Sequence, residues 1–340
     1  MKYNYLGNTG LLVSEICFGT MTFAGKGGIW EGIGKVQLDE VNQLIKTAVD
    51  AGINFIDTAN VYSFGESEKL LGQSIKDLGL NRNDLVIATK VRGKMDESPN
   101  SAGLSRYHIF NSIDDSLTRL QMNHVDIFYV HGVDLRTPIE ETMRALNDLV
   151  LSGKVRYIAV CNWPAWMVMK ALGIAEKNGW HKFIGLQYFY SLAGRDIERE
   201  IVPLAQDQNL GIMPWSPLAG GFLSGKFTRT TEKAGDSRRD NFDFPPINKA
   251  KTYDIIDVLA EIAKQHNVSV AQVSLAWVRQ QPGITSTIIG AKNINQLKDN
   301  LKSIDIILSA EELEKIDAMS ALPKEYPGWM VERQASDRTR

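Results

Sequence analysis

Four side chains that can hold or move a proton lie next to apolar stretches of the sequence. Asp57 and Lys90 each end such a stretch, and Tyr62 and His131 each follow one. A buried carboxylate is costly unless it is paired, so Asp57 requires a cation nearby. Lys90, at the end of the next apolar stretch, can supply that cation. The four residues are therefore candidates for one acid–base site.

The chemistry open to such a group is proton donation to a carbonyl oxygen. A free tyrosine has a pKa of about 10, and a neighbouring ammonium lowers that pKa by stabilising the phenolate. We expect Lys90 to lower the pKa of Tyr62 in this way, and His131 to donate a hydrogen bond to the substrate oxygen. Because no side chain supplies hydride to the carbonyl carbon, a nicotinamide cofactor is implied.

Each of these residues also has an ordinary structural explanation. Asp57 could cap a helix beside a surface Tyr62, Lys90 could mark the protein surface, and His131 could be a hydrogen-bonded core residue. Asn162 could simply open a helix. They share one topological position, at or just after the end of an apolar run, and this favours the catalytic interpretation.

Three further residues at strand ends suit a nicotinamide ring and its carboxamide. Asn162 and Gln187 each offer a hydrogen-bond donor and an acceptor, and Trp215 offers a flat aromatic face. For Gln187 the alternative is a hydrogen bond to a neighbouring strand end. If the strand ends meet at one mouth, these groups share a space with the proton donors.

The elements that must position these residues alternate along the chain. Short apolar runs predict strands, and helical spacing of apolar residues between them predicts helices. Such βα units are typical of parallel sheets covered by helices on the outside. Eight units predict an α/β fold of the (β/α)₈ TIM barrel type, whose active sites lie at the carboxyl ends of the strands. The predicted strands span 13–18, 54–57, 85–90, 125–130, 155–160, 183–187, 210–215 and 285–289.

The rival architecture is an open doubly wound sheet, which usually carries a glycine-rich fingerprint after its first strand. Gly19-Thr20-Met21 does not match GxGxxG, which favours the barrel. Residues 3–13 predict an N-terminal β-hairpin, and extra helices follow the last predicted strand. Segments 24–35 and 218–250 are predicted loops. No linker divides the chain, so we expect a single domain over residues 1–340.

Composition and charge argue against several other classes of protein. The chain has 340 residues, 44% of them hydrophobic, which is ample for a large core. A net charge of −2 gives no reason to expect a nucleic-acid or membrane-surface partner. There is no run of about 20 apolar residues, so we expect no membrane span, and the first residues lack a long apolar core, so we expect no secretory signal. The cysteines lack zinc-binding spacing, so we expect no metal site and a cytoplasmic location.

Five short motifs carry a resemblance to a known family. They are Asp57-Thr-Ala-Asn-Val-Tyr62, Ala88-Thr-Lys90, Val130-His131-Gly-Val-Asp134, Ser152-Gly-Lys-Val-Arg156 and Trp215-Ser-Pro-Leu218. Through them the chain resembles the aldo-keto reductases over nearly its whole length, roughly from Tyr5 to Leu301. The similarity is greatest to the branch with potassium-channel β-subunits and bacterial aryl-alcohol dehydrogenases. It implies a barrel that binds NADP(H) without a Rossmann fold and uses these four residues as the catalytic tetrad: Asp57, Tyr62, Lys90 and His131.

A glycine-rich segment after the seventh predicted strand concerns the phosphates of such a cofactor. Gly220 to Lys226 matches the GxxxxGK pattern of ATP-binding loops, but Phe227 stands where a Mg²⁺-binding Ser or Thr is required. We reject an ATP site and expect backbone N–H groups here to clamp a pyrophosphate. The resemblance supports that role and assigns cofactor contacts to Gly19, Thr20, Met21, Asp57, Cys161, Asn162, Gln187, Trp215, Ser216, Pro217, Leu218, Gly220, Ser224, Lys226, Gly290 and Asn293.

Further residues are expected at the adenosine end of the cofactor. The resemblance places Arg238 on the adenosine 2′-phosphate, with a solvated surface as the alternative for Arg238 and Arg239. Lys292 stands where a helix opens after the last strand, a natural anion site. Gln296 and Asn300, spaced i and i+4, match adenine contacts of the family. Several cations near one phosphate favour NADP(H) over NAD(H).

Aromatic residues outside the predicted strands could form an apolar substrate pocket. We expect Trp30 and Trp163 to join Tyr62 and His131 in binding the substrate, an aromatic or otherwise bulky aldehyde or ketone. Further candidates for the wall of this pocket are Met21, Phe189, Tyr326 and Trp329.

Two other functions fit the same residues. A regulatory protein of the channel-subunit type would keep the tetrad and the cofactor but turn over slowly. A Schiff-base barrel enzyme would use Lys90 as a nucleophile, although Asp57 beside it should keep the amine protonated. The chain also differs from many relatives, since Cys161 replaces a Ser and Trp215 replaces a Tyr. The sequence allows a homo-oligomer and does not identify the physiological substrate.

Overall fold

An N-terminal hairpin and an eight-stranded parallel barrel make up the sheet structure. The computed structural model describes residues 1–231, 235, 237–335 and 337. The hairpin strands β1 (Tyr3–Tyr5) and β2 (Leu12–Ser14) pair antiparallel. The barrel strands are β3 (Ile16–Gly19), β4 (Phe55–Asp57), β5 (Val86–Val91), β6 (Val125–Val130), β7 (Val155–Cys161), β8 (Phe183–Phe189), β9 (Gly211–Trp215) and β10 (Thr287–Ile289).

The barrel strands lie in the order β10-β3-β4-β5-β6-β7-β8-β9, each parallel to its neighbour. A parallel bridge between Ile212 and Ile284 joins the two ends of this order, so the barrel is nearly closed. The predicted (β/α)₈ fold and its N-terminal hairpin are therefore confirmed. Because every barrel strand runs the same way, the carboxyl ends of all of them open on one face.

Helices cover the outside of the barrel. α2 shows why they form: its buried residues Val41, Leu44, Ile45 and Ala48 recur with helical spacing, and a capping box closes its first turn. None of the described helices is long and apolar enough to cross a membrane. The helices are α1 (Trp30–Ile33), α2 (Leu38–Asp50), α3 (Glu66–Asp77), α4 (Arg106–Leu120), α5 (Ile139–Leu151), α6 (Ala165–Asn178), α7 (Ile201–Gln208), α8 (Lys249–His266), α9 (Val270–Arg279), α10 (Ile294–Leu301), α11 (Ala310–Ser320) and α12 (Gly328–Ala335).

The interior of the barrel is a packed core. Leu6 from the hairpin, Phe55, Tyr129 and Met213 are fully buried and belong to one apolar cluster there. A second, larger cluster fills the layer between the strands and the outer helices. Barrel strands are therefore buried on both faces, which explains their continuous apolar runs. The polar residues that end these runs can meet a ligand only at the open mouth.

The structure departs from the predicted elements where no long periodic pattern exists. The predicted strand 13–18 is divided between the hairpin and the barrel. The predicted loop 24–35 contains the short helix α1, and α12 lies in the C-terminal tail. The predicted loop 218–250 contains 3₁₀ turns at Ala219–Ser224 and Arg238–Asp240. Such short turns are set by tertiary contacts, so helical periodicity could not reveal them.

Candidate active site

Lys90 and Asp57 form a buried ion pair at the floor of the barrel mouth. Nζ of Lys90 lies 2.5 Å from Oδ2 of Asp57, and the two side chains are 0% and 3% exposed. The same nitrogen donates to the carbonyl oxygen of Thr58 at 2.9 Å and to the phenol oxygen of Tyr62 at 3.1 Å. An ammonium has three protons to donate, so every proton of Lys90 has an acceptor.

Tyr62 stands between Lys90 and the open cavity, which Asp57 also borders. Its ring centroid lies 5.8 Å from that of His131, in an edge-on arrangement. On another side, the centroid lies 5.6 Å from Trp30 of α1. The phenol and the imidazole border the same cavity. A substrate oxygen placed there can therefore reach a proton donor and a second hydrogen-bond donor together.

Burial and charge set the protonation states of these groups. Burial would lower the pKa of Lys90, but the charges of Asp57 and Tyr62 raise it above its ordinary value, so the ammonium persists. Burial raises the pKa of Tyr62 and outweighs the lowering by Lys90, so the predicted net lowering is wrong. Burial and the charges of Lys90 and Arg92 lower the pKa of His131 well below its ordinary value. At neutral pH the phenol is protonated and the imidazole is neutral.

Gln187 holds the second oxygen of the carboxylate. Its Nε2 atom donates to Oδ1 of Asp57 at 2.9 Å. Asp57 ends β4 and Gln187 lies in β8, which are not neighbours, so this hydrogen bond crosses the barrel and is not the bond to a neighbouring strand end that the sequence left as an alternative. Gln187 also lines the cavity, and Nε2 carries a second proton for a ligand. The Gln187 side chain therefore connects the ion pair to a ligand bound at the mouth of the barrel.

Asn162 and Trp215 are hydrogen-bonded to each other at the mouth. Nε1 of Trp215 donates to Oδ1 of Asn162 at 3.0 Å, and Nδ2 of Asn162 donates to the carbonyl oxygen of His131 at 3.3 Å. Phe244 stacks on Trp215, with ring centroids 5.8 Å apart and planes 9° from parallel. Part of the aromatic surface predicted for a nicotinamide ring is thus covered by a phenyl ring.

The chain after β9 turns tightly along the cavity wall. Ser216, Gly220 and Gly221 have φ angles of 54°, 69° and 95°. A Cβ atom at Gly220 would lie only 2.6 Å from the carbonyl oxygen of Phe244, so this position requires glycine. Oγ of Ser216 accepts the N–H of Gly220 at 2.9 Å. A compact turn of this kind brings backbone N–H groups close to a bound phosphate.

Arg238 is a cation in the same wall. Nη2 donates to the carbonyl oxygen of Phe244 at 2.9 Å and lies 3.5 Å from Oγ of Ser216, while Nε is buried without a partner. Burial, followed by the charge of Arg239, lowers the pKa of Arg238 to about 10. An anion in the cavity would relieve both the buried charge and the unpartnered Nε atom.

The start of α10 forms the far end of the cavity. Asn293 caps this helix, because its Oδ1 atom accepts the N–H of Gln296 at 3.0 Å. Oε1 of Gln296 accepts the N–H of Lys292 at 2.9 Å. Asn300 and Asp299 also line this end, and Asp299 accepts hydrogen bonds from two side chains at the start of α9. This end offers amides and a lysine to a ligand.

Most of these groups, but neither Lys90 nor Asn293, border one cavity of about 920 Å³. Ligand pockets usually measure about 300–1,000 Å³, so this one suits a large ligand. The predicted residues that line it are Gly19, Met21, Trp30, Asp57, Tyr62, His131, Asn162, Gln187, Trp215, Ser216, Pro217, Leu218, Gly220, Ser224, Lys226, Arg238, Gly290, Lys292, Gln296 and Asn300.

Comparison with known proteins identifies the family to which this barrel belongs. The model of the aldo/keto reductase family matches residues 15–321, which is most of the chain. The chain belongs to the aldo/keto reductase family. It is therefore an oxidoreductase of a family that acts on small carbonyl compounds, and the predicted family is confirmed.

Three relatives of this aldo/keto reductase are similar to it over nearly their whole length and carry different functional names. "Uncharacterized oxidoreductase YrpG" of Bacillus subtilis is 36% identical over 327 residues, 93% of this chain and 95% of the relative. "Probable voltage-gated potassium channel subunit beta" of Oryza sativa subsp. japonica is 36% identical over 326 residues, 94% of this chain and 96% of the relative. "Versiconal hemiacetal acetate reductase" of Aspergillus parasiticus is 33% identical over 346 residues, 96% of this chain and 99% of the relative. The predicted similarity to channel β-subunits is thus confirmed.

Five predicted site residues of this aldo/keto reductase do not line the cavity. Lys90 lies behind Tyr62, and its Nζ atom donates to the phenol oxygen there. Thr20 and Cys161 are fully buried, and Asn293 turns its side chain to its own helix. Trp163 is 2% exposed and its indole N–H donates to a backbone carbonyl at 3.0 Å. The prediction that Trp163 lines the substrate pocket is therefore wrong, because its side chain belongs to the core.

Several residues that border the cavity were not predicted from the sequence. Arg92 lies two positions after Lys90, so the strand-end rule that found Lys90 could have found it. Phe242 and Phe244 come from the long loop, whose path no periodicity reveals. Of the further aromatic candidates, Phe189, Tyr326 and Trp329 lie outside the cavity lining. The missed lining residues are Thr22, Ile29, Ile33, Val61, Arg92, Gly93, Gly132, Val133, Gly221, Ser237, Phe242, Phe244, Ala271, Ile288, Ile289, Ala291 and Asp299.

Proposed function

We propose that this enzyme uses NADPH to reduce aldehyde or ketone carbonyls to alcohols, and catalyses the reverse reaction when alcohol and NADP⁺ are supplied. One observation carries the proposal. A single buried ammonium, that of Lys90, is hydrogen-bonded both to Asp57 and to the phenol oxygen of Tyr62 at the edge of the cavity. This arrangement supports a phenol that gives up its proton while a cation stabilises the phenolate.

Tyr62 is the general acid in this proposal. As negative charge develops on the substrate oxygen, that oxygen accepts the phenol proton of Tyr62. Lys90, 3.1 Å from the phenol oxygen, stabilises the phenolate that remains. Neutral His131 donates a hydrogen bond to the same substrate oxygen and fixes its position. Asp57, held by Gln187, keeps Lys90 protonated and in place.

A nicotinamide cofactor would supply the hydride that the carbonyl carbon receives. The residues present fit such a group along the cavity. Asn162 and Gln187 suit the carboxamide, the turn that contains Gly220 suits a pyrophosphate, and the unpartnered Nε atom of Arg238 suits a phosphate oxygen. Lys292 adds a second cation at the start of α10. This number of cations supports NADP(H) over NAD(H).

Replacement of Tyr62 tests the proposal. Tyr62→Phe should lower kcat for reduction of aromatic aldehydes by about 10²- to 10⁴-fold, because it removes the general acid. NADPH consumption measures kcat, and fluorescence titration should show a nearly unchanged Kd for NADPH. Tyr188→Phe is a matched control, because the Tyr188 hydroxyl donates to a backbone carbonyl away from the cavity. A wild-type kcat in Tyr62→Phe would exclude Tyr62 as the acid.

A regulatory protein that binds cofactor and turns over slowly is the second candidate. The relative named as a probable potassium-channel β-subunit supports this alternative. Tight NADPH binding without turnover of any member of an aldehyde and ketone panel would favour it. A Schiff-base mechanism gains no support, because three hydrogen bonds leave the nitrogen of Lys90 fully protonated. Trapping of a substrate on Lys90 with borohydride would reverse that judgement.

A further inference from the structure

Arg92 is a cation at the cavity mouth that the proposed mechanism does not use. It directly follows β5 and lines the cavity together with His131 and Val133. Its Nε atom donates to the carbonyl oxygen of Val133 at 3.1 Å. Within the described part of the chain, its terminal nitrogens make neither a hydrogen bond nor an ion pair. The guanidinium is therefore anchored by its Nε atom and open to a ligand at its other end.

The backbone of Arg92 is held in a strained conformation. Its φ angle is 146°, a value that L-residues rarely adopt. The carbonyl oxygen of Arg92 accepts the N–H of Gly103 at 3.0 Å, which ties this conformation to the loop before α4. A Cβ atom at the following Gly93 would lie 2.7 Å from Val61, so the chain is also crowded there. Strain of this kind persists where surroundings fix it, and it clusters at ligand-binding sites.

The position of Arg92 in the barrel separates it from the residues proposed to hold the cofactor phosphates. Around the nearly closed strand order, β5 and β9 lie opposite each other. Trp215 ends β9, and the segment with Gly220 and Arg238 follows it, whereas Arg92 follows β5. Arg92 lies near the proton-donating groups instead, since its charge contributes, after burial and Lys90, to the low pKa of His131. This places Arg92 on the substrate side of the mouth.

No acidic side chain competes for Arg92 among the described residues that line the cavity. Asp57 is paired with Lys90, and Asp299 is hydrogen-bonded at the opposite, α10 end. The remaining wall on the substrate side includes the apolar residues Trp30 and Val133. An open guanidinium in such a pocket selects for an anionic group on the ligand.

We propose that Arg92 binds a carboxylate of the substrate, so that the preferred substrates are aldehydes or ketones with a carboxylate remote from the reacting carbonyl. This inference rests on the proposed carbonyl reduction. The two terminal nitrogens of Arg92 pair with the two carboxylate oxygens. Tyr62 and His131 hold the carbonyl oxygen. Two-point attachment orients the carbonyl carbon and lowers KM for acidic substrates relative to neutral ones of the same shape.

Matched pairs of substrates test this inference. 3- and 4-carboxybenzaldehyde carry the anion, and their methyl esters keep the ring and the aldehyde without the charge. For the wild-type enzyme, kcat/KM should be higher for an acid than for its ester. Arg92→Gln should lower kcat/KM for the acid by about 10- to 100-fold, mainly through KM, and should lower kcat/KM for the ester much less. Arg156→Gln is a control, since this arginine, exposed like Arg92, lies outside the cavity and, among the described residues, bonds only the backbone carbonyl of Gly153 just before β7.

Two results would overturn the assignment of Arg92. The first is an equal loss of kcat/KM for the acid and the ester in Arg92→Gln. The second is a wild-type enzyme whose kcat/KM is no higher for either acid than for the corresponding ester. If Arg92→Gln does not fold, Arg92→Gly removes the charge and suits the positive φ angle, and it should show the same selective loss.

A binding measurement separates failure of this inference from failure of the proposed function. If no aldehyde is reduced, the carbonyl-reductase proposal fails, and calorimetric titration with benzoate and methyl benzoate then tests Arg92 directly. Benzoate should bind the wild-type protein more tightly than Arg92→Gln by about 10-fold or more, and methyl benzoate should bind both alike. Equal benzoate affinity for the two proteins would refute a carboxylate site at Arg92.

Discussion

Replacement of Lys90 by methionine should destabilise the fold as well as the chemistry. Lys90→Met keeps an unbranched side chain but removes the ammonium from a carboxylate that is only 3% exposed. Among the described residues, the Asp57 carboxylate then keeps only the hydrogen bond from Gln187, of 2.9 Å. Removing one partner of a buried ion pair costs about 3–5 kcal/mol, because the other charge is left uncompensated. We expect the free energy of unfolding to fall by that amount near neutral pH.

A second substitution distinguishes the destabilisation caused by the uncompensated charge from that caused by lost side-chain packing. Adding Asp57→Asn to Lys90→Met removes the uncompensated charge and keeps an oxygen that can accept from Gln187. This double variant should be more stable than Lys90→Met by at least about 1–3 kcal/mol, the cost of leaving a buried polar group unsatisfied. Urea unfolding followed by tryptophan fluorescence, with both single variants and the double variant, completes the cycle.

The pH dependence of Lys90→Met gives an independent check. A buried carboxylate without a cation takes up a proton more readily than the same group in the unfolded chain. The folded state then binds more protons than the unfolded state, so the free energy of unfolding should rise as pH falls from neutrality. A loss below about 1 kcal/mol in Lys90→Met would refute the reasoning, since this is the range of exposed pairs. A double variant that is no more stable than Lys90→Met at any pH would also refute the reasoning.

Two further predictions concern Arg238 and His131. Arg238→Ala should raise the Kd for NADPH about 10- to 100-fold more than the Kd for NADH if this residue holds the 2′-phosphate; equal losses in titrations of both cofactors would place it on the shared pyrophosphate. The pKa of His131 is lowered in the fold, so below the ordinary histidine pKa of about 6.5 the unfolded chain binds a proton that the folded chain does not. The free energy of unfolding should therefore fall as pH drops below that value, and His131→Gln should show a shallower fall in acid urea titrations than the wild-type enzyme.

The barrel and the proton-donating group could be predicted because they share one physical cause. Strands buried on both faces must be apolar along their length, so a polar residue such as Asp57 or Lys90 is tolerated only at the end that opens on the mouth. The pairing of Lys90 with Asp57 follows from the cost of a buried charge, and the structure shows that contact.

Other features of the site depend on side-chain direction, which the sequence does not reveal. Cys161 and Trp163 flank Asn162, but the φ angle of 58° at Asn162 turns the chain so that only Asn162 lines the cavity. The raised pKa of Tyr62 depends on its depth of burial, to which Trp30 on the unpredicted helix α1 contributes. That residues 1–340 form a single domain stays a prediction.

Phe244 links two parts of the cavity wall that otherwise look independent. Its ring lies on Trp215, and its carbonyl oxygen accepts a hydrogen bond from Arg238. A ring that stacks on the same face of Trp215 competes with the phenyl group, and an anion drawn to Arg238 competes with the carbonyl of that same residue. If the proposed nucleotide binds in this cavity, its exchange requires the loop that carries Phe244 to rearrange, and loop steps of this kind often limit the rate of release. On the proposed function, substitution of Phe244 should therefore change the rate of cofactor release.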